Sequence, residues 1–177
     1  GEPALRTSGT VVSLPMPDGS FSRFRIAESP ILAPELAAAF PDIHTYTGQG
    51  VDDPTATTRF GWTEKGFHAI VLSTTGTVYV DPYAPGDVEY YVAARKDALQ
   101  QPDVRFQCLV TGSPEEVGLR AAGTFPMTNG TSLRTYRLAL AATAEYTAAA
   151  GGTKNAALAR MVTSMNRVNG IYERELA

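Results

Sequence analysis

The sequence predicts an α+β chain, mainly β, built on an antiparallel sandwich or barrel-like unit. Three observations carry this. Roughly eight short runs rich in β-branched and aromatic residues fill the first two thirds, each bounded by turn-forming residues. Two of the gaps, Glu64-Lys65-Gly66 and Thr74-Thr75-Gly76, are short enough to close hairpins. The last third then changes period, from the alternation of a strand to the spacing of a helix.

Taken in order, residues 10–14 form a short β-prone run stopped by Pro15, Pro17 and the turn Asp18-Gly19. Residues 21–26 are extended, with aromatics on both faces. In residues 34–40, Pro34 at a first helical position is followed by good helix formers, which predicts one or two helical turns ended by Pro41. Strands follow at 43–48, 56–63, 67–73 and 77–81, and again at 89–95 and 104–111. Residues 112–132 hold Gly, Pro, Ser, Thr and Asn with few apolar residues and read as a linker. Residues 133–143 alternate and then turn fully apolar, as a strand entering a buried sheet does. Thr153, after Gly151-Gly152, is placed to cap a helix over residues 153–174. Leu158, Met161, Val162, Met165, Val168 and Tyr172 give that helix an apolar stripe. A βα unit needs a following parallel strand to bury both partners, so this pair is expected to belong to a second domain and to offer an apolar face for dimerisation. The expected organisation is a β-rich domain over 1–111, a linker over 112–132 and a βα unit over 133–177.

Composition narrows the function. With 177 residues, 44% hydrophobic and 19% charged, the chain can bury a real core. A net charge of −3 with dispersed basic residues argues against a nucleic-acid partner. No apolar run is long enough for a membrane span, and no signal peptide opens the sequence. A single cysteine, Cys108, excludes an internal disulfide. It lies between Phe106-Gln107 and Leu109-Val110, where a small buried hydrophobe is the plain reading. Asp52-Asp53-Pro54 has carboxylates for calcium but reads first as a turn. His68 sits in an alternating strand, and Tyr79, Tyr83, Tyr90 and Tyr91 are either a sugar platform or packing groups. Asn129-Gly130-Thr131 fits a glycosylation sequon. A self-contained hydrolase is disfavoured, because there is no Gly-x-Ser-x-Gly elbow and the cysteine has no evident partner histidine and asparagine.

Two stretches resemble a known family. Tyr46-Thr47-Gly48-Gln49-Gly50-Val51-Asp52-Asp53-Pro54-Thr55-Ala56, through Lys65-Gly66-Phe67-His68-Ala69 to Gly76-Thr77-Val78-Tyr79-Val80-Asp81-Pro82-Tyr83, is similar to the pro-region of reprolysin-type metallopeptidases of the metzincin class. Leu133-Arg134-Thr135-Tyr136-Arg137-Leu138-Ala139, Ala144-Glu145-Tyr146-Thr147 and Met165-Asn166-Arg167-Val168-Asn169-Gly170-Ile171-Tyr172-Glu173-Arg174 resemble the opening of the catalytic domain in bacterial members. The resemblance implies a secreted precursor whose pro-region keeps a zinc protease latent and assists its folding. The expected partner is then the chain's own catalytic domain.

The family's zinc motif, His-Glu-x-x-His-x-x-Gly-x-x-His, is absent, and His44 and His68 are the only histidines. Zinc is therefore expected in the parent protein, none on this fragment, and no catalytic residue is expected here. In the family a pro-region cysteine can hold the zinc in place of its water, and Cys108 matches that role by position along the chain. Gln107 and Leu109 differ from the Pro-Lys-x-Cys-Gly-Val switch of the animal relatives, so a structural and an inhibitory cysteine both stay open. Family members also place a calcium ligand near Glu145, though the match there does not transfer it. The competing reading is a binding module for a carbohydrate or cell-surface protein.

Overall fold

Strand β4 (Thr57–Thr63) shows how alternation builds the molecule. Thr58, Phe60 and Trp62 point to one face of the sheet; Arg59, Gly61 and Thr63 point to the other. The computed structural model describes residues 5, 7–99 and 136–176. Within them, β1 (Val11–Pro15), β2 (Phe21–Glu28), β3 (His44–Gly50), β4, β5 (Gly66–Ser73), β6 (Gly76–Pro82) and β7 (Tyr91–Arg95) pair antiparallel in chain order. They make one seven-stranded meander, curled into a half-barrel. The chain is thus mainly β, as expected. The β4–β5 and β5–β6 hairpins close at Gly66 and Gly76, whose φ values of 92° and 126° need a residue without Cβ.

The inner face is the main core. Phe24, Ile26, Phe60, Ala69, Val71, Val78 and Val80 are buried there. Phe60 stacks on Tyr46 (centroids 5.0 Å apart) and meets Phe67 at 5.6 Å; Phe67 in turn contacts Trp62 and Tyr91. Such contacts add to the area term, because ring edges and faces carry opposite partial charge.

Helix α1 (Pro34–Ala39) bridges β2 and β3, with Pro34 in its first turn as expected. Helix α2 (Ala144–Ala150) was not legible in the sequence. Thr143 caps it, its Oγ1 accepting from the Tyr146 N–H at 3.2 Å. Gly151 and Gly152, at positive φ, turn the chain into helix α3 (Lys154–Leu176). Thr153 is its cap, as expected, with Oγ1 accepting from the Ala156 N–H at 3.0 Å.

The described part of the strand expected at 133–143 is not a strand. Residues 136–143 join no ladder, and Tyr136, Leu138 and Leu140 are exposed. A β-prone run is stable only beside another strand, and none of the described strands lies next to it. Helix α3 does not stand apart as half of an uncovered layer: it packs on the outer face of β4 and β5. The strand expected at 104–111 and the linker at 112–132 lie outside the described residues.

Candidate functional site

The chemistry-bearing side chains converge where α3 crosses the outer face. Arg59 projects from β4 under the helix, its side chain only 6% exposed. A guanidinium cannot lose its charge there, so it needs acceptors. Nη1 donates to Ser29 Oγ (3.1 Å) and Asn166 Oδ1 (3.3 Å). Nε donates to the Glu173 carboxylate at 3.2 Å, and Nη2 also donates to Glu173. The Asn166 amide nitrogen donates to the Phe60 carbonyl at 3.0 Å, which ties the helix to the backbone of β4.

A second cluster lies one strand further across. Asp81 on β6 accepts from Arg167 Nη2 and lies 2.6 Å from His68 Nδ1 on β5. The Arg167 guanidinium also donates to the Ala69 carbonyl (3.3 Å) and sits 4.9 Å from the centre of the Tyr79 ring. Burial pushes the Asp81 carboxyl up, but the His68 hydrogen bond and the Arg167 charge and hydrogen bond together outweigh it, leaving it below the ordinary aspartate value. Gly170 lets the helix seat: a Cβ there would lie 2.9 Å from Arg59 Cγ.

Between the clusters is a crevice lined by Thr45, Gly61, Thr63, His68 and Thr163, with about 10 Å³ of space, enough for one water. His68 and Asp81 have the spacing of a base and its orienting carboxylate. Arg167 already neutralises that carboxylate, and the crevice does not admit a substrate. The arrangement fits a clasp that holds a helix.

The sequence-predicted residues fall apart in space. Cys108 and Asn129-Gly130-Thr131 lie outside the described residues. Asp52 is engaged by Arg23, whose Nε and Nη2 donate to it at 3.0 and 2.6 Å, and Asp53 accepts from the Thr55 N–H at 2.8 Å, so this pair forms turn contacts. Glu145 sits in the first turn of α2. His44 pairs across β3–β4 with Trp62 and His68 pairs across β4–β5 with Gly61, which places the two histidines on opposite faces. No three His, Cys, Asp or Glu side chains converge among the described residues, so the described side chains do not fit a zinc site. Tyr79 and Tyr91 also take opposite faces, while Tyr83 and Tyr90 are directly opposed and exposed. No helix among the described residues is long and apolar enough to cross a membrane.

Arg59, Asn166, Arg167 and Asp81 were not singled out as site residues in the sequence. The signal was there: polar residues at 166, 170 and 173 recur at helical spacing beside the apolar stripe. No family model, curated protein or solved structure matches the chain.

Proposed function

We propose that the chain is the pro-region of a secreted, reprolysin-like zinc metallopeptidase joined to the opening of its catalytic domain, and that it keeps the downstream protease latent and assists its folding. The observation that carries this is the run 136–143. It has strand-type sequence and exposed Tyr136, Leu138 and Leu140, yet pairs with no strand among the described residues. That is the behaviour of a strand whose sheet is supplied by other chain. Helix α3 agrees. Its Leu158, Met161, Met165, Val168 and Tyr172 stripe lies roughly a third of a turn from the residues that grip the half-barrel, and Tyr172 is exposed. The helix thus has one face for the β domain and another for a second sheet. Cys108 is the inhibitory zinc ligand in this reading, with zinc and the general base in the downstream domain.

The test adds the 177-residue protein to the mature peptidase. Inhibition at micromolar concentration is expected, and none at that concentration refutes the reading. In the full precursor, Cys108→Ala should raise activity before processing; unchanged latency removes Cys108 from the mechanism.

One observation favours the alternative of a binding module for a carbohydrate or cell-surface protein. Tyr83 and Tyr90 form an exposed cross-strand pair, joined where the Tyr83 N–H donates to the Tyr90 carbonyl at 2.9 Å. Titration with soluble oligosaccharides, comparing the parent with Tyr83→Ala, tests it; a tyrosine-dependent saturable signal supports binding.

A further inference from the structure

The contact between α3 and the half-barrel is made by side chains alone. Backbone pairing in the sheet is complete without the helix, and the helix carries its own cap at Thr153. Separating them breaks no strand ladder and leaves both partners' backbones satisfied. The contact is also polar at both ends: Arg59 with Glu173 and Asn166, Asp81 with Arg167. Ile70, fully buried between these clusters, supplies the apolar centre. Polar ends around a small apolar centre describe a surface that can bind and release, unlike the continuous apolar core of the inner face.

We propose that the outer face of the half-barrel is a docking surface for residues 136–176 as a separate chain, so that cutting the connecting segment leaves the two pieces associated and release is a second step. This rests on the pro-region reading only for the occurrence of a cut. While the chain is intact, the tether keeps the helix at an effective concentration on the order of millimolar. After the cut, only the affinity of the clasp holds it. Its specificity lies in the spacing of Asn166, Arg167 and Glu173, which one helix face presents to Arg59 and Asp81 on strands β4 and β6.

The experiment uses the full chain with a specific protease site inserted within residues 112–132. After cutting, gel filtration and a dilution series report whether the pieces travel together. Co-elution at micromolar concentration is expected. Arg167→Ala with Glu173→Ala should raise the concentration at which the pieces part at least tenfold. Both changes lie on the helix, so the sheet sequence is intact. Tyr172→Ala, on the exposed side, should leave retention unchanged. Separation of the parent pieces at micromolar concentration overturns the proposal. So does retention that the double variant does not weaken, or that Tyr172→Ala weakens equally. Failure of the pro-region reading would instead appear as absent peptidase inhibition, a separate measurement.

Discussion

Arg59 and Glu173 form an ion pair whose two ends live in different solvents. The Arg59 side chain is 6% exposed and that of Glu173 is 55% exposed. Removing either partner breaks the same contact, yet the costs should differ. In Glu173→Ala the guanidinium stays buried with its charge uncompensated, a situation that costs about 3–5 kcal/mol. Ser29 and Asn166 still accept from it, so the lower end, about 3 kcal/mol, is expected. In Arg59→Met the carboxylate turns into water at a cost of about 0–1 kcal/mol. The Asn166 oxygen loses a donor, which adds about 1 kcal/mol, and the methionine keeps part of the packing of the arginine stem. Glu173→Ala should therefore lose more protection than Arg59→Met by roughly tenfold, at about 1.4 kcal/mol per factor of ten. The assay is native-state hydrogen exchange of the α3 amides, with β4 and β5 amides as internal reference. Equal or greater loss in Arg59→Met would refute the reasoning, since the buried charge would then not be the quantity that matters.

Three further outcomes follow from the same structure. Asp81 titrates below the ordinary aspartate value, so its contribution is complete above about pH 4 and is lost as pH falls through the depressed folded value. Exchange from α3 should rise on acidification in the parent, through loss of the Asp81 contacts to Arg167 and His68, and rise less in Asp81→Asn; identical profiles would remove Asp81 from the acid response. Gly170→Ala should loosen α3 although alanine is the better helix former by about 1 kcal/mol. The new Cβ would meet Arg59 Cγ at 2.9 Å, and Arg59 is pinned by its acceptors, so a gain in helix protection would contradict the close packing. Phe60→Ala should lower stability in urea unfolding by about 3–5 kcal/mol, because Phe60 is 2% exposed at the centre of the aromatic cluster; a loss under about 1 kcal/mol would mean that the inner face repacks.

The strand order of the half-barrel was readable because each strand is local. Alternation in 57–63 and 66–73 places Phe60, Ala69 and Val71 on one face, and the short turns at Gly66 and Gly76 permit only neighbour pairing. Thr153 was likewise readable as a cap, since it needs only its own helix. Helix α2 was missed because the apolar approach to Thr143 has the look of a strand, and the competing signal, a threonine followed by helix formers, covers only seven residues.

By itself the sequence determined what short-range rules decide: the strands, the hairpins, the α3 helix and the shortage of histidines for a zinc motif. Tertiary structure alone decided what faces what. It set Asn166, Arg167 and Glu173 against the half-barrel and left Tyr172 outside, because Arg59 and Asp81 on the outer face carry charges that must find partners before apolar surface can be covered. It also left residues 136–143 without a ladder. A strand is a property of two chains side by side, and no single run of residues contains the other one.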